Sequence, residues 1–217
     1  MPPRFTPVLF DLDGTIIDSA PGILASLAWT YEQLRMPVPP PAELLKWVGP
    51  PILDSFRDLA KLDEDESRYA LALYREHYTA VGVFDATPYP GVLEVLRDIH
   101  AAGVPLSLAT SKPESTARLI LEHLRIADVF TETTGATDDE VRSSKPDVVA
   151  EALRRLAARG LVERPVMVGD RVHDVEGAAV HDVPTIFVTW GYGSPAEAAG
   201  AIASVDTAEE LLVELAL

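Results

Sequence analysis

An α/β fold, with a parallel sheet core and an inserted helical cap, is what this sequence predicts, and three observations predict it. Val8-Leu9-Phe10 is a continuous apolar run that stops at Asp11, as a strand buried on both faces does. From Pro88 onward, helical and strand-like stretches alternate, the pattern of strand-helix-strand units on a parallel sheet. Between Asp18 and Asp85 there are four helical stretches and no clear strand, so this block sits outside the sheet. The division expected is a core of residues 1–17 and 86–217 and a cap of residues 18–85.

The elements follow from local pattern. Ile23, Leu24, Leu27, Tyr31 and Leu34 recur at helical spacing behind Ser19 and Pro21, predicting a helix that ends near Arg35. Pro37 to Pro41 breaks it, Ala42 to Val48 reads as a second helix, Gly49-Pro50-Pro51 as a break and Ile52 to Leu62 as a third. Asp63-Glu64-Asp65-Glu66 sets acids at the positive end of a fourth helix running to Val81. After the loop Pro88 to Gly91 come a helix over Val92 to Ala102, a strand over Val104 to Thr110, a helix from Pro113 to Leu124 and a short strand at Val129-Phe130-Thr131. A helix over Pro146 to Arg159, a strand over Pro165 to Gly169, a helix over Val172 to His181, a strand over Thr185 to Thr189 and a closing helix over Ala208 to Leu215 complete the pattern.

The 217 residues, 47% of them hydrophobic, suffice for a sizeable core. A formal net charge of −16 argues against nucleic acid and anionic membrane as partners, since both need basic patches. With no cysteine there are no disulfides and no thiolate metal sites, which leaves oxygen or imidazole ligands and hard cations such as magnesium. The five histidines show no mutual spacing for a metal site. Met1 to Pro7 carry no leader pattern and no run of about 18 apolar residues occurs, so the expectation is a soluble cytoplasmic protein, monomer or homodimer.

Three predicted strands end in polar residues, and in a parallel sheet those ends share one edge, where open α/β sheets place ligands. Asp11 directly follows the buried first strand and is the candidate nucleophile, whose attack on phosphorus gives an aspartyl-phosphate. Asp13 is placed to give a proton to the leaving oxygen and take one from water. Gly14 and Thr15 offer backbone N–H groups and a hydroxyl, and Thr110 and Ser111 offer donors ahead of a helix N-terminus, all toward phosphate oxygens. Lys145, before Pro146 in the first turn of a helix, neutralises Asp11 and the phosphoryl group. Asp170 and Asp174 are four residues apart at a helix entry, Asp170 placed to bind magnesium directly and Asp174 through water or by orienting its neighbours. The loop around Trp47 and Gly49 is the candidate reader of substrate, and the expected partner is a small phosphorylated metabolite.

Asp11-Leu12-Asp13-Gly14-Thr15, Thr110, Lys145 and Gly169-Asp170 to Asp174 resemble the four motifs of the haloacid dehalogenase (HAD) superfamily. The helical insert between the first and second motifs is similar to the subfamily with a four-helix cap. Lys46 to Pro51, Ala109 to Pro113 and Thr189 to Gly193 resemble phosphoglycolate phosphatase-like members. The resemblance implies a Rossmann-like core, an aspartyl-phosphate mechanism with magnesium, and the backbone carbonyl of Asp13 as a metal ligand beside the carboxylates of Asp11 and Asp170. Pro50 stands where sugar phosphomutases of this subfamily usually carry an arginine, and Asp13 is absent from dehalogenases. The expected activity is magnesium-dependent hydrolysis of a phosphate monoester, phosphoglycolate-like or a nucleoside monophosphate. An inorganic pyrophosphatase or a sugar phosphomutase on the same scaffold, and a non-catalytic phosphate-binding regulatory module, stand as alternatives.

Overall fold

Val8, Leu9 and Phe10 are fully buried, and in the computed structural model, which describes residues 3–217, they form the central strand β1 (Val8–Phe10). Val8 and Phe10 pack into the larger apolar cluster on one face of the sheet, and Leu9 packs on the other with Val148, Ala152 and Leu156. A strand covered on both sides has no polar face to alternate with, which explains the unbroken apolar run.

β1 lies between two parallel neighbours. Its Phe10 stands beside Leu108 of β4 (Leu106–Pro113) and Val168 of β6 (Val166–Gly169). With β5 (Glu132–Ala136), β7 (Thr185–Val188) and β8 (Ala203–Val205), the six-stranded order is β5-β4-β1-β6-β7-β8, every ladder parallel. Helices α5 (Val92–Ala101), α6 (Glu114–His123), α7 (Lys145–Ala157), α8 (Val172–Ala179) and α9 (Ala208–Leu215) supply the connections and cover. The predicted α/β class holds. No helix among the described residues is long and apolar enough to cross a membrane; of Met1 to Pro7, read above for a leader, Met1 and Pro2 lie outside those residues.

The helical insert hangs from a two-stranded antiparallel pair, β2 (Ile17–Asp18) with β3 (Thr87–Pro88). Between them come α1 (Ala20–Gln33), α2 (Pro41–Leu44) with a following 3-10 turn at Leu45–Trp47, α3 (Ile52–Asp58) and α4 (Glu64–Ala80). The third helix stops short of the expected Leu62 because Lys61 adopts a left-handed conformation, φ 59°. Asp63 then caps α4, accepting from the Glu66 backbone N–H at 2.9 Å while Glu66 Oε2 accepts from the Asp63 N–H at 3.1 Å.

The strand expected at Val129-Phe130-Thr131 does not form. Ala127–Val129 is a 3-10 turn, and the edge strand β5 begins at Glu132 with the polar residues Thr133 and Thr134. Val129 and Phe130 are buried as cover for the core rather than as ladder members. The second strand also runs on to Pro113, with an irregular register between Thr110 and Pro113, which carries Ser111 and Lys112 past the sheet edge. β2, β3 and β8, of two or three residues each, are too short for a periodic signal.

Candidate active site

Because β4, β1 and β6 are adjacent and parallel, Asp11, Thr110 and Asp170 leave the same edge of the sheet. Asp11, Asp170 and Asp174 are buried and offer carboxylate oxygens that all lie within 4.8 Å of one another. Ser144 caps α7, and Lys145 opens that helix. Its ammonium stands 2.9 Å from Asp11 Oδ1 and 2.7 Å from Asp174 Oδ1 and donates to the Ala109 carbonyl at 3.1 Å. The stem of Lys145 runs over Gly177 of α8, where a Cβ would come within 2.7 Å of the Lys145 Cγ.

Asp170 and Asp174 are also held from behind. Thr15 Oγ1 donates to Asp170 Oδ1 at 3.1 Å, the Tyr192 N–H donates to Asp170 Oδ2 at 2.8 Å, and the Arg171 N–H donates to Asp174 Oδ2 at 3.0 Å. The Thr15 hydroxyl, expected at the phosphate, is therefore engaged with Asp170. Gly14, at φ +83°, has the Asp170 carboxylate directly against it and no room for a side chain.

Three buried carboxylates face one ammonium. Burial, with Asp174 and Asp11 adding to it, pushes the Asp170 carboxyl well above the usual range. Burial likewise pushes Asp11 up to about 6 against the attraction of Lys145. For Lys145 burial opposes the charge, but its two acidic partners outweigh it and hold the ammonium above its ordinary range. Asp11 Oδ1 and Asp174 Oδ1 lie at ion-pair distance from Lys145 yet accept no aligned hydrogen bond from any described residue. Excess negative charge, oxygen-only donors and two unsatisfied buried oxygens fit a hard divalent cation such as magnesium.

The Asp13 carboxylate stands apart from that group. It accepts from the Lys112 ammonium at 2.9 Å on both oxygens and from Ser19 Oγ at 2.5 Å. Lys112, which the sequence reading gave no role, is buried, and its ammonium lies 4.8 Å from the centre of the Tyr78 ring on α4. Burial opposes its charge, but Asp13 outweighs burial and raises the ammonium above its ordinary range. The available signal was position: Lys112 follows the apolar part of β4 at the edge where Asp13 follows β1. Replacing Lys112 by Met is expected to lower kcat about 10–100-fold by misplacing Asp13. The loss should be greater for alkyl than for aryl phosphates, because only poor leaving groups need the proton; equal losses would remove Asp13 from that role.

Thr110 is buried, and its hydroxyl accepts from the Lys112 N–H at 3.2 Å. Ser111 lines both the cleft containing Asp13 and Lys112 and the groove containing Lys145. Gly49 lines both as well, and its loop is tied down by Arg171, which donates from Nη1 to the Val48 carbonyl at 2.5 Å and from Nε to Glu197 at 2.9 Å. Trp47, in the loop expected to read substrate, is 2% exposed and packs edge-on between Tyr31 and Phe56 at 6.0 and 5.0 Å. It contributes to the wall of the cleft but is mostly core.

The loop after β7 buttresses the site. Trp190 Nε1 donates to the Thr15 carbonyl at 3.0 Å. Tyr192 Oη donates to Asp18 Oδ1 at 2.7 Å and accepts from the N–H groups of Ser19 and Ala20 at 2.8 and 3.0 Å. Replacing Tyr192 by Phe is expected to cost about 1–2 kcal/mol in denaturant melts, since it removes these bonds where the insert begins.

The family model described as haloacid dehalogenase-like hydrolase matches residues 8–188. The chain belongs to that family. As a haloacid dehalogenase-like hydrolase, it is 45% identical over 186 residues to the tyrosine-protein kinase PtkA of Mycobacterium tuberculosis, a match covering 86% of this chain and 62% of PtkA. The chain thus spans less than two thirds of that relative's length. It is 34% identical over 195 residues to a 5'-nucleotidase of Pseudomonas aeruginosa, covering 89% of this chain and 87% of the relative. A crystal structure of a predicted phosphatase from Clostridium acetobutylicum superposes with a TM-score of 0.92 at 36% identity, covering 98% of each chain.

Proposed function

We propose that this chain is a magnesium-dependent phosphatase that hydrolyses a small phosphate monoester, phosphoglycolate-like or a nucleoside monophosphate, in the cytoplasm. The observation that carries the reading is the Asp11 carboxylate at the end of the central strand, 2.9 Å from Lys145 and within 4.8 Å of Asp170 and Asp174. A carboxylate oxygen of Asp11 attacks phosphorus, the bond to the ester oxygen breaks, and the phosphoryl group is carried as an aspartyl-phosphate. Asp13, on the side of the open cleft, gives its proton to the departing alcohol and then takes one from the water that attacks the acyl phosphate. Lys145 offsets the charge of Asp11 and of the transferring group. Asp11, Asp170 and Asp174 would hold magnesium, which when bound supplies electrostatic stabilisation of the phosphate oxygens. Residues 18–85 act as the cap over the core of residues 1–17 and 86–217, keeping bulk water from the intermediate.

Phosphate release from a panel of esters, with magnesium and with a chelator, tests the reading; no magnesium-dependent release from any ester overturns it. The 45% identity to PtkA favours a second reading, in which a tyrosine hydroxyl rather than water accepts the phosphoryl group from a nucleoside triphosphate. Phosphotyrosine appearing on a tyrosine-containing peptide, in step with consumption of the triphosphate, would establish it.

A further inference from the structure

We propose that Tyr78, on helix α4 of the insert, is a positioning residue for proton transfer: the face of its ring holds the Lys112 ammonium on Asp13, so the acid–base group is complete only while the insert is seated on the core. This rests on the phosphatase reading and deepens it, since it names a residue of the insert through which closure reaches the chemistry.

Lys112 and Asp13 both belong to the core, at the ends of β4 and β1. An ammonium has three N–H groups to place. Lys112 Nζ donates to both Asp13 oxygens, each at 2.9 Å, and no other oxygen or nitrogen among the described residues accepts from it. What it also meets is the ring of Tyr78, whose centre lies 4.8 Å away. Lys112 is 8% exposed and Tyr78 4%, so bulk water is largely kept from the contact, and a cation on the negative face of a ring is stabilised most where both are desolvated. The Tyr78 hydroxyl has no hydrogen-bond partner among the described residues. The ring, rather than the hydroxyl, is therefore the part that acts on Lys112.

That ring is fixed by the packing of the insert itself. Tyr74 stacks on it at 5.4 Å, parallel within 9°. Gly82 closes its edge, because a Cβ there would come within 2.7 Å of Tyr78 Cδ2. Gly82 is pressed in turn on Gly22 of α1, where a Cβ would come within 2.1 Å of the Gly82 carbonyl oxygen. The ring thus travels with the insert as one piece. When the insert lifts, the ring leaves Lys112 and water competes with Asp13 for the ammonium; when it closes, that water is excluded and the pair re-forms.

Tyr78→Leu is expected to lower kcat about tenfold more for an alkyl phosphate such as benzyl phosphate than for an aryl one such as p-nitrophenyl phosphate, the signature expected for Lys112→Met. Tyr78→Phe keeps the ring and should hold the native ratio between the two esters. In the Lys112→Met protein, where the ring has no cation to hold, adding Tyr78→Leu should leave the ratio where Lys112→Met put it. Both esters are read on the same protein, so any loss of folded protein cancels in the ratio. Placing 4-fluoro-, 3,5-difluoro- and 3,4,5-trifluorophenylalanine at position 78 keeps the ring's shape while draining its face of negative charge, and the alkyl-to-aryl ratio should fall stepwise along that series. Equal losses on the two esters, a ratio that Tyr78→Phe fails to hold, a further fall in the Lys112→Met background, or a ratio indifferent to fluorination would each overturn this inference while leaving the phosphatase reading intact. No release from any ester overturns both.

Discussion

Asp11→Asn is expected to reduce phosphate release by about 10³-fold or more, the scale on which loss of a covalent nucleophile acts, and at the same time to make the metal-free protein more stable. The two effects have one origin. Burial is the largest influence on Asp11 and raises its carboxyl from the ordinary 3.8 to about 6; Lys145 opposes this, and Asp174 and Asp13 add to it. A charge so raised is unfavourable in the folded chain by about 3 kcal/mol above pH 6, and a neutral amide of the same shape removes that cost. A rise in Tm of roughly 5 °C or more follows for the magnesium-free protein. Undiminished turnover would end the assignment of Asp11 as nucleophile, and a lower Tm would end the account of the site as a crowd of mutually repelling acids.

The sign with pH follows from the same group. Asp11 holds its proton more tightly folded than unfolded, so its contribution to stability is present below about pH 3.8 and is lost as pH rises to about 6. The proton also competes with a bound cation, so stabilisation by magnesium should grow over the same interval. Melts from pH 4 to 7, with magnesium and with chelator, check this. The difference between the native protein and Asp11→Asn isolates Asp11 from acids such as Glu151, which hydrogen bonds from Arg154 hold down to about 2 and whose contribution has the opposite sign. A difference that stays flat across the interval would contradict it.

What the sequence made legible was what a strong local pattern encodes. Val8 to Phe10 could be read as central because burial on both faces leaves no polar alternation. Asp11, Lys145, Asp170 and Asp174 could be read together because each sits at a strand end or helix start, and parallel order alone brings those to one edge. The strand at Glu132–Ala136 escaped because an edge strand carries polar residues such as Thr133 and Thr134, while the neighbouring apolar pair Val129-Phe130 serves the core from a turn. Lys112 escaped for a different reason. Its partner, Asp13, is 99 positions away, and a lysine beside a proline reads as surface until the irregular end of β4 turns it inward. The role of Trp47 was not legible, because an aromatic in a loop says nothing about which of its faces is covered.

Removing Lys145 should do the reverse of removing Asp11. Among the described residues its ammonium is the cation paired with Asp11 and Asp174, and Lys145→Met leaves both carboxylates, with Asp170 beside them, buried and uncompensated. The expected cost to the metal-free protein is about 3–5 kcal/mol, the penalty for breaking a buried pair from one side. Turnover should fall about 10²–10³-fold, as when a preorganised charge facing the reacting group is removed. Magnesium should raise the Tm of the variant by more than it raises that of the native protein, because the cation then meets the full negative charge of the three acids. The double variant Asp11→Asn/Lys145→Met decides between charge and packing. If charge governs the site, neutralising Asp11 should stabilise the Lys145→Met protein by more than it stabilises the native one, because the attraction to Lys145 no longer offsets the cost of the Asp11 charge, so the two substitutions are non-additive. If Lys145 contributes only its stem, packed over Gly177, Lys145→Met keeps most of that stem and should cost little, and the electrostatic account of the site would be wrong.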